Sequence, residues 1–345
     1  MNYREKQGDT KELKQKYLDG LTSLLESRQD ELLRERDEYI KDIFADPEKY
    51  RKDFAKMLGW PLTEPRERKI PRATKTELSR EEGYTLYRMT FEVLEGLELS
   101  GLYFEIDGND KKPLVLVQHG GLGTPEMISG VYGDTGTYHQ ILTGVVERGV
   151  NAFAPQLMLW AESFGVPCDR RGLDARFKRV GSSITAVEVY GLMRVLDYFE
   201  AQENISTFGM IGLSYGGFYT LMTTALDTRI RSAISCSFFN TREKYPWTDW
   251  TWFNSAARFD DAELACLVYP RGLCLEIGER DALFDVRSGV KSYERLEHIC
   301  KGQGIGTDWV SFITFDGEHE FNTDDKPIEE LICTLTRDDM QSRCD

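Results

Sequence analysis

Gly212-Leu213-Ser214-Tyr215-Gly216-Gly217 is the stretch that decides how this chain reads. An apolar run, Phe208-Gly209-Met210-Ile211, leads into it as a buried strand, and Phe218-Tyr219-Thr220-Leu221-Met222 leaves it as a helix. G-x-S-x-G between a strand and a helix is the pattern of a nucleophile turn. The serine must sit on a tight, strained bend with its hydroxyl projecting, and side chains at 212 and 216 would strike neighbouring backbone. A chance serine in a glycine-rich turn is the competing reading, and the flanking strand and helix count against it.

On the amino-terminal side, Leu114-Val115-Leu116-Val117 is a continuous apolar run, as expected of a strand covered on both faces. Residues 84–94 and 97–106 read as a hairpin at a sheet edge, and residues 62–82 as a polar connector. A strand at 150–155 and a helix at 182–202 come next, and the 207–213 strand leads to Ser214. Beyond it lie strands at 230–239, 273–277 and 310–315, with helices at 290–300 and 328–335. Strands alternating with helices predict an α/β fold, a mostly parallel central sheet with helices on both faces.

Residues 1 to about 60 are charge-dense and helical in pattern. Leu13, Tyr17, Leu21, Leu24 and Leu25 recur at helical spacing, followed by Leu32 and Leu33. Asp46-Pro47-Glu48 starts a second helix that Gly59-Trp60-Pro61 stops. The expected organisation is a helical extension over 1–70 and a catalytic domain over 71–345. The extension is read as an arm packed on the domain, with homodimerisation as its other use.

Composition narrows the function classes. A net charge of −15 argues against phosphate-backbone binding and against attraction to anionic membranes, so neither nucleic acid nor membrane is an expected partner. No secretory apolar segment opens the sequence and no apolar stretch reaches membrane-spanning length. The seven cysteines are scattered singly, which reads as reduced thiols in a cytoplasmic protein.

A serine hydroxyl needs a base. Of four histidines, His298 falls in an amphipathic helix and His139 near a helix start, whereas His319 lies just past the last strand, where open α/β sheets meet ligands. The acid that orients it should leave the carboxyl end of the 273–277 strand. Asp281 is the first choice and Asp285 the second, the latter also suited to capping the next helix. The order Ser214, Asp281, His319 is one of three known orders for such a triad. Oxyanion donors are expected from the N–H of Tyr215 and from Gly120 and Gly121, in Gln118-His119-Gly120-Gly121 after a buried strand. His119 itself is read as bracing that loop.

With HGG at 119–121, GLSYGG at 212–217, and Asp281 followed by His319, the chain resembles the α/β-hydrolase superfamily over about residues 82–335. Within it, the chain is similar to the dienelactone-hydrolase-like and acetyl-xylan-esterase-like group. The helical extension, the G-x-x-D acid turn and G-x-H-x-F at 317–321 carry that likeness. It departs from dienelactone hydrolases proper in having serine, not cysteine, at 214. The resemblance implies ester hydrolysis through an acyl-serine, on a small-molecule ester with a small acyl group such as acetyl, including one borne on a carbohydrate. It implies no cofactor, and no zinc-ligand spacing is present. The alternatives are an oligopeptidase-like peptidase or amidase and a catalytically silent, ligand-binding hydrolase fold.

Two aromatic segments are expected to cap the site. One spans 157–160 with Phe164, and the other lies near 240–260. Trp160, Trp250 and Trp252 are the candidate substrate-binding residues. Arg170, Arg171 and Arg176 form a basic patch, read mainly as pairing with surface acids.

Overall fold

Residues 2–6, 8–66, 69–160 and 166–337 are described by a computed structural model, and a nine-stranded sheet runs through it. Two helices come first, α1 (Lys11–Tyr39) and α2 (Pro47–Leu58). The Asp46 carboxylate accepts the Lys49 N–H and Pro47 opens α2, as the sequence predicts. Strands β1 (Ala73–Glu81), β2 (Tyr84–Leu94) and β3 (Leu97–Ile106) form an antiparallel meander. Then follow β4 (Lys112–Gln118), β5 (Asn151–Pro155), β6 (Ile205–Leu213), β7 (Ile230–Cys236), β8 (Gly272–Gly278) and β9 (Val310–Phe315). The spatial order is β1-β2-β3-β5-β4-β6-β7-β8-β9, parallel from β5 to β9.

Strand β1 corrects the connector expected at 62–82. Its side chains are almost all exposed, so no alternation of apolar and polar residues marks it. Charged residues on an outermost strand suit an edge that must not recruit another chain.

The apolar run of β4 is explained by two cores. Leu114 and Leu116 face one, with Met210 of β6 and Leu192, Val195 and Leu196 of helix α6 (Ile184–Glu200). Val115 and Val117 face the other, with Ile211 and Leu213. Helices α3 (Pro125–Ile128), α4 (Ile141–Val146) and α10 (Lys326–Thr336) cover that second face. Helices α7 (Tyr215–Leu226), α8 (Asp261–Cys266) and α9 (Val286–Gly302) pack with α2 and α6 on the first, and α5 (Arg170–Lys178) lies outside α6. Burying each such aliphatic side chain contributes about 1.5–3 kcal/mol.

The chain leaves β4 for β5 on one side and returns to β6 on the other. That reversal opens a crevice above the carboxyl end of β4, where ligands of open α/β sheets bind.

Candidate active site

Ser214 stands between β6 and α7 with φ 61° and ψ −121°. Its N–H donates to the Cys236 carbonyl at 2.9 Å, and its own carbonyl takes the Phe218 N–H at 2.9 Å. Such a left-handed conformation is costly for a non-glycine residue and persists because its surroundings enforce it. Both flanking glycines are sterically required. A Cβ on Gly212 would sit 2.3 Å from the Gly216 backbone, and one on Gly216 would sit 2.1 Å from the Gln118 carbonyl oxygen. These contacts press the ends of β6 and β4 against the first turn of α7.

The loop after β4 lies beside the serine. The Gly120 N–H donates to the Tyr138 hydroxyl at 2.8 Å. That bond removes Gly120 from the expected oxyanion donors, because its proton is already committed inside the loop. The N–H groups of Gly121 and Tyr215 make no hydrogen bond among the described residues. His119 is buried, with Nδ1 donating to the Gly120 carbonyl at 2.8 Å and Nε2 accepting the Leu157 N–H at 3.1 Å. A backbone N–H can only donate, so the ring is the Nδ1–H tautomer; burial pulls its pKa down to about 4. This histidine is a neutral brace.

His319 hangs on the loop after β9. Its Nδ1 donates to Asp281 Oδ2 at 2.8 Å, which leaves Nε2 as the basic nitrogen. The buried Asp281 uses Oδ1 to accept the N–H groups of Leu283 and Phe284, both at 2.8 Å. Asp285 is elsewhere, capping α9 and bonded to Arg287 and Lys244. The structure therefore brings Asp281 to the histidine and gives Asp285 the capping role. The loop is tied to the serine turn through β7: Cys236 receives the Ser214 N–H, and the Ser237 hydroxyl donates to the Glu320 carbonyl at 3.2 Å. Among the described residues no group of three or more His, Cys, Asp or Glu side chains could hold a metal ion.

No protein-family model and no curated protein sequence matches the chain. Solved structures do. A glucuronoyl esterase from Solibacter usitatus superposes with a TM-score of 0.62 at 14% identity, over 84% of this chain and 92% of that one. Acetyl xylan esterase 1 from Thermoanaerobacterium gives 0.58 at 15% identity, over 84% and 94%. A cold-adapted esterase from an Arctic intertidal metagenomic library gives 0.52 at 21%, over 74% and 97%. The fold is that of the α/β-hydrolases.

On this fold the segment after β7 forms an aromatic cap, but not with the residues expected to face substrate. Trp250 is buried against Tyr215, Phe218, Phe238 and Phe284, whose ring centroids lie 4.9–5.7 Å from its own. Trp252 is buried too, parallel to Phe218 and under the Arg242 guanidinium. Both are corrected from pocket lining to packing, since α7 offers its apolar face to whatever covers it. Trp160 keeps an open side. Its indole lies 5.3 Å from the rings of Tyr215 and Trp247, and Gly121 sits beneath it. Phe164 lies outside the described residues.

The three arginines do not act as one patch. Arg170 is buried, donating to Asp249 at 2.8 Å, Glu188 at 2.9 Å and the Met158 carbonyl at 2.7 Å. Its remaining nitrogen donates to the Tyr219 hydroxyl at 2.5 Å. Asp249 also accepts the Tyr215 hydroxyl at 2.8 Å, so this ion pair bolts the cap to α7. Its acids are interior, not on the surface as expected. Arg171, one residue on, faces solvent with its guanidinium over Trp160 and Trp247, and Arg176 is exposed. Arg171, expected to pair with a surface acid, instead lies over two indoles, and Trp247 was not among the candidate residues, because nothing local distinguishes such a ring or cation from an ordinary surface one.

Behind the His319 loop, Glu276 accepts a hydrogen bond from Asn322 at 2.9 Å and pairs across the sheet with Cys236. Burial pushes its pKa up to about 7. Between an ordinary value of about 4.5 and 7 the folded chain holds a proton that the unfolded chain has released. Stability from this group is thus fully present below pH 4.5 and lost as pH rises to 7. Glu276→Gln removes the penalty, so it should stabilise by up to about 3 kcal/mol at pH 8 and by little at pH 4.5. Urea midpoints of both proteins at the two pH values measure this, and equal gains at both would refute it.

Proposed function

We propose that this chain is a serine hydrolase of carboxylic esters. The observation that carries the reading is Ser214 on a left-handed turn beside two unpaired N–H donors, with His319 held by Asp281 on a loop whose Glu320 carbonyl is bonded to Ser237 at the end of β7. His319 Nε2 takes the Ser214 proton as Oγ attacks the ester carbonyl. The Gly121 and Tyr215 N–H groups receive the oxyanion, and Asp281 stabilises the imidazolium. His319 then protonates the departing alcohol, and later deprotonates the water that releases the acid and restores Ser214. The Ser214 hydroxyl makes no hydrogen bond among the described residues, a contact that in such enzymes often tightens only with substrate bound.

A groove of about 1110 Å³ is lined by Leu122, Trp160, Pro167, Cys168 and Arg171 among others, and Trp160 packs 5.3 Å from the ring of Tyr215, the residue after Ser214. An indole face beside exposed cationic and polar groups suits a sugar ring, which supports a carbohydrate ester as substrate. The neighbours named for acetyl xylan and glucuronoyl esters agree with that reading.

The acyl side is expected to be small. Trp250 and Phe284 fill the space between the cap and His319, so a long chain has little room. Hydrolysis of p-nitrophenyl esters from acetyl to octanoyl should therefore fall in kcat/KM by at least about 100-fold along the series. Equal rates would refute the small acyl pocket. No turnover at all, with Ser214 unlabelled by a fluorophosphonate, would refute the serine hydrolase.

A further inference from the structure

Consecutive residues between β4 and α4 touch both loops that the proposed reaction needs. They belong to the segment 135–140, which includes the short helical turn Gly136–Tyr138. The Tyr138 hydroxyl accepts the Gly120 N–H at 2.8 Å, in the loop that carries the Gly121 donor. The Thr137 carbonyl accepts the Phe321 N–H at 2.8 Å, just beyond His319. His139 Nε2 donates to Glu320 Oε2, the neighbour of His319, at 2.7 Å.

These contacts end close to the reacting groups. A Cβ placed on Gly120 would lie 3.2 Å from the Tyr138 hydroxyl and 3.3 Å from the Ser214 Cβ, so the hydroxyl and the serine flank one glycine. Gly120 also closes the turn of its loop, its carbonyl accepting the Gly123 N–H at 3.1 Å. On the other side the Glu320 carboxylate brackets His319. Its Oε1 accepts the Glu318 N–H at 2.9 Å while its Oε2 accepts from His139. Those two bonds hold the Glu320 carboxyl below the usual carboxylate range, so it stays a charged acceptor.

The segment is held in a costly shape. His139 (φ 45°, ψ 42°) and Gln140 (φ 61°, ψ 31°) are both left-handed, a conformation that non-glycine residues keep only where their surroundings impose it. The Tyr138 ring supplies one constraint, buried with Ile128 and Ile141 in the second core. Thr135 supplies another: its carbonyl accepts the Tyr138 N–H and its hydroxyl the Gln140 N–H, both at 3.1 Å.

We infer that residues 135–140 form a strut that sets the spacing between the Gly120–Gly121 loop and the His319 loop, with Tyr138 and His139 as positioning residues. The inference rests on the serine-hydrolase reading above. Misplacing a reacting group by about 1 Å costs on the order of 100-fold in rate. Asparagine tolerates a left-handed backbone, but its amide reaches only as far as a histidine Nδ1, so His139→Asn loses Glu320 without losing the turn. His139→Gln restores the reach of Nε2. With p-nitrophenyl acetate, His139→Asn should lower kcat at least about tenfold at near-constant KM, and slow fluorophosphonate labelling of Ser214 alongside. His139→Gln should recover most of that loss. Tyr138→Phe keeps the buried ring but removes the acceptor of the Gly120 N–H, and should lower kcat by a similar factor. In a Glu320→Ala background, His139→Asn should cost less than about threefold more, because the two side chains act as one contact. Urea midpoints show that each variant is folded under assay conditions. A fall below about threefold in His139→Asn or Tyr138→Phe overturns the strut, as does an equal loss in His139→Asn and His139→Gln. A wild type that neither turns over nor takes the label refutes the reaction and the strut with it, whereas an active wild type matched by its variants refutes the strut alone.

Discussion

Ser214→Ala is expected to lower kcat/KM toward an acetyl ester by about four orders of magnitude or more while leaving the fold unchanged. The activity loss follows from chemistry: without Oγ there is no acyl-enzyme, and the Gly121 and Tyr215 donors and the binding groove supply only residual acceleration. In barrier terms the loss is at least about 5 kcal/mol. Stability should scarcely move, because the hydroxyl is bonded to nothing among the described residues and alanine meets the same left-handed backbone cost as serine. Asp281→Asn is the companion test. Its amide can still receive the Leu283 and Phe284 N–H groups, but it no longer stabilises an imidazolium, so kcat should drop steeply at a near-constant KM. Esterase activity in Ser214→Ala within tenfold of wild type, at equal purity, would remove Ser214 from the mechanism.

Arg170→Met should produce the largest loss of stability among single side-chain changes, about 3–5 kcal/mol. The guanidinium is enclosed, and its removal leaves the Glu188 and Asp249 carboxylates facing each other across apolar surroundings. Tyr219 and the Met158 carbonyl lose a donor as well. Because Asp249 also holds the Tyr215 hydroxyl, the cap should loosen over the Ser214 turn and activity should fall with stability. The control is to neutralise the whole set. Arg170→Met combined with Glu188→Gln and Asp249→Asn should recover a large part of the loss, since an unpaired buried charge costs more than an absent pair. Chemical denaturation of the three proteins measures it, and a single variant within 1 kcal/mol of wild type would show that the network bears no weight.

Much of the site was legible along the chain because its constraints are local. Gly212 and Gly216 are fixed by backbone contacts within four residues of one another or with the adjacent strand, so the turn writes itself into five consecutive positions. The motif order and the run of apolar strands likewise follow from period and spacing. The residues that were misread answer to distant neighbours. Gly120 is as good a donor as Gly121 until Tyr138, eighteen positions on, takes its proton. Trp250 and Trp252 look like pocket aromatics until α7 turns its apolar face toward them. Arg170 and Arg171 are indistinguishable as letters, and the helical turn of α5 sends one inward to two buried acids and the other out over two indoles.

The sequence by itself determined the α/β alternation, the serine turn and the histidine loop, because each is a pattern of adjacent or regularly spaced residues. Only the tertiary structure decided which aspartate reaches His319, which N–H groups stay unpaired and which tryptophan keeps an open face. Those outcomes depend on hydrogen bonds and packing between segments far apart in the chain, which no local pattern encodes.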